Sequence, residues 1–274
     1  MKISSVTAVF FSPTGNTKKI VVRIAEEIAA RLSAPLEHFD YTRPKSRESK
    51  RSFGETDLVV FGTPVYAGRV PNKLLPYVQG GFVGGGALVI PVVTFGNRNF
   101  DNGLRELCEE LEENGFHTVA AAAVAARHAF SDKLAGGRPD AADWEKLLAF
   151  AAEAAGKVDK LTAVPPRVQV SGEWPLSAYY TPLGVDGEPV MFLKAKPKTH
   201  LDVCDHCGVC AAVCPVGAID AKQEELVPGT CIKCQACVRK CPSGAKYFDE
   251  PAFLSHVEML EQNYTRRFEP ALFL

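Results

Sequence analysis

Eight of the nine cysteines in this 274-residue chain lie between Cys204 and Cys241. They read C-D-H-C-G-V-C-A-A-V-C-P and then C-I-K-C-Q-A-C-V-R-K-C-P, two copies of C-x₂-C-x₂-C-x₃-C-P offset by 27 residues. Pro215/Pro242, Gly217/Gly244 and Ala218/Ala245 keep the same offset, so the stretch is an internal repeat. So short a segment buries too little apolar surface to hold its own shape, and something bound to the cysteines must do it.

The spacing is the bacterial pattern for iron–sulfur ligation, in which the fourth cysteine of each run serves the other cluster. Two [4Fe–4S] clusters are expected. The crossover rule assigns Cys204, Cys207, Cys210 and Cys241 to one, and Cys231, Cys234, Cys237 and Cys214 to the other. Disulfides would call for an oxidising compartment and usually a small secreted chain. Zinc takes four ligands in paired knuckles, and a third cysteine three residues after each pair does not suit one tetrahedral ion. His206 reads as a polar spacer between ligands.

The rest of the chain has room for one larger domain. Apolar residues make up 46% of the whole and the net charge is −1, which gives no electrostatic case for nucleic acid or an anionic membrane. The longest apolar run, Val119 to Ala126, is eight residues and too short for a membrane span. The opening residues Met1 to Phe11 lack the small-residue cleavage site of a signal peptide. A cytoplasmic, reducing setting is expected.

Strands are expected at 3–11, 36–41, 57–62, 87–93 and 117–125, separated by helices from about Thr17, near 72–79, over 101–114 and over 140–161. The alternation predicts an open parallel α/β sheet of five strands. Ligands of such sheets bind beyond the carboxyl ends of the strands, where loops 12–17, 63–71, 94–100 and 126–131 converge. The basic loop 42–53 is expected to be a solvated connection. Cys108, among Leu104, Leu107 and Leu111 at helical spacing, reads as a buried structural thiol. Residues 163–199, rich in proline and aromatics, are expected to be an ordered linker packed across the first domain, followed by a cluster domain over 200–249. The tail 250–274 is expected to be helical and to cap the cluster domain or pack back on the first one, with a homodimer contact as the alternative.

Ser12, Thr14, Gly15, Asn16 and Thr17 join the first strand to the first helix. A phosphate monoester there would meet backbone N–H groups, the positive end of the helix dipole and several hydroxyls. An ordinary N-capping turn has the same composition. No G-x-G-x-x-G or Walker A pattern occurs.

With these loops in place, the first ~160 residues resemble flavodoxin, with FMN at the switch point. The whole chain resembles the flavodoxin–ferredoxin fusion family, down to its T-P-V-Y-A-G-R-V-P and F-G-N-R loops. The resemblance implies the strand order 2-1-3-4-5, a small C-terminal α+β two-[4Fe–4S] ferredoxin domain, and FMN as second cofactor. It also implies that Pro64, Val65, Tyr66, Ala67, Gly68 and Arg69 lie along one side of the flavin ring, with Tyr66 stacking. Thr94, Phe95, Gly96, Asn97, Arg98 and Phe100 would hold the other side. Flavodoxins are strongly acidic, whereas residues 1–162 carry 20 basic and 19 acidic side chains. Arg69 and Arg98 in the ring loops would favour an anionic reduced flavin by Coulomb attraction. His128, after the fifth strand, is the candidate proton donor.

Clusters pass single electrons and flavin takes one or two, so the combination implies an electron-transfer flavoprotein serving a redox partner. A reductase of a small acceptor such as a quinone is the alternative. A non-redox binding module is the third reading.

Overall fold

A computed structural model describes residues 2–274. Strand β1 (Ser5–Phe10) runs into helix α1 (Asn16–Leu32), whose Ile20, Val21, Ile24, Ala25, Ile28 and Ala29 are buried along one face. The helix stops at Ser33, which takes a left-handed conformation and returns its N–H to Ala29 and Ala30 carbonyls. Strand β2 (Leu36–Asp40) and a small β3 (Arg51–Ser52) lead to β4 (Asp57–Pro64). Helix α2 (Leu75–Gly80) and β5 (Phe82–Val83), which pairs with β3, precede β6 (Leu88–Phe95), buried along its whole length. Helix α3 (Gly103–Glu113), β7 (His117–Thr118), β8 (Ala121–Ala125) and α4 (Ala141–Asp159) follow. Asp140 starts α4 with a capping box, accepting from the Asp143 N–H while the Asp143 carboxylate accepts from its own.

The sheet is flavodoxin-like α/β. Its main path runs β2-β1-β4-β6-β8 with parallel pairing. It holds seven strands rather than the five expected. The predicted strand over 117–125 is split into β7 and β8, and a strand from the tail joins the edge. One face carries α1 and α4 over Val6, Ala8, Leu58 and Ile90. The other packs Phe61, Val89 and Val93 against Leu104, Leu107 and Cys108 of α3, and there the linker adds Val168 and Val170. Cys108 is fully buried and its thiol is pushed up to about 12 by that burial.

Beyond the linker the elements are short. Strand β9 (Lys198–Thr199) pairs antiparallel with β10 (Lys246–Tyr247), and between them lie one-turn helices α5 (Val209–Ala212) and α6 (Ala236–Arg239). The apolar cluster here is Cys210, Cys214, Cys237, Ala218 and Ile219, so three of its five buried members are cysteines. Chelating the iron anaerobically is therefore expected to unfold residues 200–249 while α1 and α4 stay folded. Limited proteolysis with and without chelator reads this directly: new cuts confined to the cysteine segment support it, and an unchanged pattern refutes it.

Helix α7 (Pro251–Asn263) carries the tail back to the first domain, where β11 (Ala271–Phe273) pairs antiparallel with β8. The edge is closed by this chain's own residues. Ion pairs reinforce the return: Arg267 bonds Asp140 and Asp143, Lys146 bonds Glu269, and Arg138 donates to the Phe268 carbonyl at 2.8 Å. Among the described residues, no helix is long and apolar enough to cross a membrane.

Candidate functional site

The carboxyl ends of β1, β4, β6 and β8 open into one cavity of about 590 Å³. Pro13, Thr14, Asn16 and Thr17 line it from the β1–α1 turn. Gly15 turns the chain there with φ +97°, a conformation in which a side chain would be strained. Thr17 and Thr94 share a hydroxyl hydrogen bond of 2.7 Å, tying that turn to β6, and Asn16 Nδ2 donates to the Arg127 carbonyl at 2.9 Å. Pro64, Val65, Tyr66, Ala67 and Gly68 form a second wall; Thr94, Phe95, Gly96, Arg98 and Asn99 form a third.

Five of the residues singled out in these loops do not reach the cavity wall. Ser12 accepts the Lys18 N–H and gives its own to Thr42, so it shapes the turn from behind. Gly15 contributes only the bend. Arg69 points away and is held by buried Glu106 at 2.6 Å and by the Ser177 carbonyl, so its charge is neutralised before it can act on a ring. Asn97 spends its amide on the Tyr264 and Arg266 carbonyls, both at 2.7 Å. Phe100 is buried against Phe95 and Phe268. Arg98 does face the cavity, its guanidinium shared between Asp101 and the Tyr180 ring 3.8 Å below it.

The fourth wall comes from outside the first domain. Thr230, Cys231, Ile232 and Lys233 of the second cysteine run border the cavity beside Tyr66. Tyr66 is half-buried, and desolvation raises its phenol well above the usual range, with Cys234 and Cys231 next to it adding to the rise. Burial also pushes the Cys231, Cys234 and Cys237 thiols up, and Cys214 lies close enough to each of them to add to the rise. Buried thiols packed together, with Lys233 and Lys246 near enough to favour their thiolates, suit a cationic iron core. Among the described residues no three His, Cys, Asp or Glu side chains converge on one metal ion. The vertices of a cubane stand further apart than the ligands of a single ion, so four cysteines around it need not converge so tightly. Cys207, in the other run, is exposed.

Two arginines clamp the cysteine segment onto the first domain. Arg239, from α6, donates to the Ala129 carbonyl at 3.1 Å and to Asp132 at 2.6 Å. Arg47 donates to the Tyr41 and Thr42 carbonyls and, at 2.5 Å, to the Pro215 carbonyl. The loop 42–53 is therefore a docking element and not merely solvated.

His128 lies on the cavity wall with its ring against Gly96: a Cβ at Gly96 would fall 1.9 Å from His128 Cδ2. Burial lowers its imidazolium to about 4, so the ring is neutral at neutral pH and a poor acid. Gly96→Ala is expected to cost about 1–3 kcal/mol by overpacking, read as a lower urea midpoint at unchanged slope. A variant as stable as the parent would show that the ring swings freely.

The wall holds four cations, Lys73, Arg98, Arg127 and Lys233, and no carboxylate. The linker and tail supply Tyr179, Tyr180, Pro182, Phe192, Leu193, His256 and Leu260. Lys73, Lys233 and His256 carry no local sequence signal for this role. The aromatics were visible only as a linker too rich in rings to be free.

A fold with its cavity at the strand ends, walled on one side by a cysteine repeat, defines an iron–sulfur flavoprotein of electron transfer. A flavodoxin domain model matches residues 8–80 and a 4Fe-4S dicluster domain model matches residues 203–245. The chain is a flavodoxin–ferredoxin fusion, and its cofactors are FMN and two [4Fe–4S] clusters. No curated protein matches it. Similar solved structures include a flavodoxin from the domain Archaea, 12% identical over 57% of this chain and 99% of that one, TM-score 0.41. A flavodoxin of Streptococcus pneumoniae TIGR4 is 18% identical over 56% and 99%, TM-score 0.40. Rubredoxin oxygen:oxidoreductase of Desulfovibrio gigas is 18% identical over 59% of this chain and 38% of that one, TM-score 0.41.

Proposed function

We propose that the chain relays electrons between its two clusters and FMN, and onward to a redox partner. The observation that carries this is the shared wall: Cys231 to Lys233 border the same cavity as Tyr66 and Thr94 to Gly96. When bound, the clusters supply single electrons and FMN stores them singly or in pairs.

The residues divide the work. Thr14, Asn16 and Thr17, at the start of α1, hold the phosphate with their hydroxyls, amide and backbone N–H groups. Pro64 to Gly68, Thr94 to Gly96 and Arg98 would enclose the ring, and Tyr66 lines the wall beside Cys231. Cys231, Cys234, Cys237 and Cys214 would hold the cluster on the cavity side; Cys204, Cys207, Cys210 and Cys241 would hold the outer one, where the exposed Cys207 leaves room for an external one-electron partner. Arg239 and Arg47 fix the separation by fastening the cysteine segment to the loops after β8 and β2. Lys233, which is on the wall and bonds only carbonyls, favours an anionic reduced ring, whereas Arg98 is already paired with Asp101. A reducing, cytoplasmic setting goes with this reading, since thiolates survive as ligands where disulfides do not form.

Thr14→Ala is expected to weaken FMN uptake by apoprotein roughly tenfold through one lost phosphate hydrogen bond, measured by flavin fluorescence quenching. The relay itself is tested by rapid mixing with a one-electron donor under anaerobic conditions. Cluster bleaching that precedes flavin bleaching supports it; flavin reduction that is as fast after the clusters are removed overturns it. A second reading, reduction of a small acceptor such as a quinone, is favoured by one feature: the cavity extends past the flavodoxin loops into an aromatic lobe made by the linker and α7.

A further inference from the structure

That lobe contains two histidines whose tautomers are set by the backbone, and set oppositely. The Phe130 N–H donates to His128 Nδ1 at 3.0 Å, so Nδ1 is the acceptor and the ring hydrogen sits on Nε2. His256 Nδ1 lies 2.8 Å from the Leu183 carbonyl, which can only accept. Its hydrogen is therefore on Nδ1, and Nε2 offers a lone pair. Among the described residues neither Nε2 has a hydrogen-bond partner, and both rings line the cavity. Burial lowers both imidazolium groups, and each ring stays in its neutral form. A chain of ring contacts joins them: His128 packs on Phe130, Phe130 lies 4.8 Å from Phe253, Phe253 5.6 Å from Phe192, and Phe192 borders His256.

One wall thus presents a donor, and nearby an acceptor, in an apolar aromatic setting. His128 packs edge-on against Phe130 at 4.8 Å between centroids, and Phe192 lies 5.4 Å from His256. Tyr180 stands 6.3 Å from His256. These groups come from the linker, from α7 and from the loop after β8, and the first two are additions to the flavodoxin sheet. The lobe adjoins the flavodoxin loops: the Tyr180 N–H donates to the Ala67 carbonyl at 2.9 Å, and the His128 ring packs on Gly96.

The geometry points to a binding site for a flat aromatic molecule bearing a ring hydroxyl, a phenol or hydroquinone, seated between His128 and His256. The hydroxyl oxygen accepts from His128 Nε2–H and its hydrogen goes to His256 Nε2. One hydroxyl satisfies both histidines. A ring carrying only a carbonyl at that place satisfies His128 but sets oxygen against the His256 lone pair with no hydrogen between them, so the site prefers the hydroxyl form. The inference rests on FMN occupying the flavodoxin loops and leaving this lobe free.

The test uses FMN-loaded protein purified anaerobically, with 2-naphthol as probe and its own fluorescence as the readout. Saturable binding is expected, with 2-methoxynaphthalene bound about tenfold more weakly because it cannot donate to His256. In His256→Phe the two probes should bind alike, while FMN content and FMN affinity stay at the parent values. Equal binding of both probes by the parent protein would overturn the site, and that comparison needs no variant to fold. So would His256→Phe losing FMN affinity with probe selectivity intact, since the histidines would then grip the flavin's own carbonyl and N–H edge. Absence of flavin from the isolated protein would instead count against the proposed relay, because probe binding is read independently of flavin.

Discussion

Cys231→Ser is expected to remove one cluster, halve the iron per chain, and change the circular dichroism of the bound flavin. Cys231 is the proposed ligand that borders the cavity, beside Tyr66 and Lys233. It is half-buried, and its neighbours Cys234 and Cys237 are buried, so losing one thiolate leaves the others without their iron in a site water cannot easily relieve. Lys233 then loses the anionic neighbour beside its ammonium, which otherwise bonds the Leu193 and Cys231 carbonyls. Cys207→Ser is the informative contrast, because Cys207 is exposed and lies outside the cavity. It should also halve the iron while leaving the flavin signal as it was. Iron analysis and visible circular dichroism on both variants decide the matter: equal flavin perturbation by the two substitutions would mean that neither cluster is the nearer one.

Asp143→Ala should be the most destabilising single change in the first domain, by about 3–5 kcal/mol in urea unfolding. Asp143 is fully buried and its carboxylate takes two bonds from Arg138, one from the Asp140 N–H at 2.9 Å and one from Arg267 at 2.9 Å. Removing it leaves the Arg138 guanidinium, 7% exposed, with only the more distant Asp140 carboxylate at 3.9 Å. The consequence reaches the cavity. Arg138 and Arg267 hold the returning tail, and the tail carbonyls of Tyr264 and Arg266 hold Asn97 in the loop after β6. FMN affinity should therefore fall along with stability. Replacing both partners, Arg138→Met with Asp143→Leu, is expected to recover much of the loss, because paired apolar side chains leave no buried charge. By comparison Glu26→Ala, which removes an exposed pair with Arg23, should change stability by no more than about 0.5 kcal/mol. An Asp143→Ala protein as stable as that control would show that the network is ornamental to the fold.

Much of the architecture was legible because the signals are local. Ile20, Ile24 and Ile28 recur at helical spacing, and β4 and β6 are continuous apolar runs, so α1 and the buried strands follow from periodicity alone. The splitting of 117–125 was not legible, since Val119 and Ala120 are as apolar as the strand they interrupt. The loop residues divided in the same way. Thr14, Asn16, Thr17, Tyr66 and Gly96 reach the cavity as their position after a strand suggests. Arg69 and Asn97 occupy equally suitable positions, yet their side chains are claimed by Glu106 and by the tail. Which way a loop side chain turns depends on partners 37 or 167 residues away.

By itself the sequence determined the cofactors' chemistry and offered the eight cysteines as candidate ligands. Cysteine spacing is a local property, and iron–sulfur coordination depends on it directly. The parallel sheet was determined likewise, through runs of buried residues at a strand's length. Only the tertiary structure decided which cysteine run faces the cavity, because that depends on Arg47 and Arg239 meeting carbonyls far off in the chain. The same holds for His128 and His256, paired across 128 residues by a helix that returns from beyond the cluster segment. Long-range placement of this kind arises from summed packing and hydrogen bonding over the whole molecule, and no short window of sequence contains it.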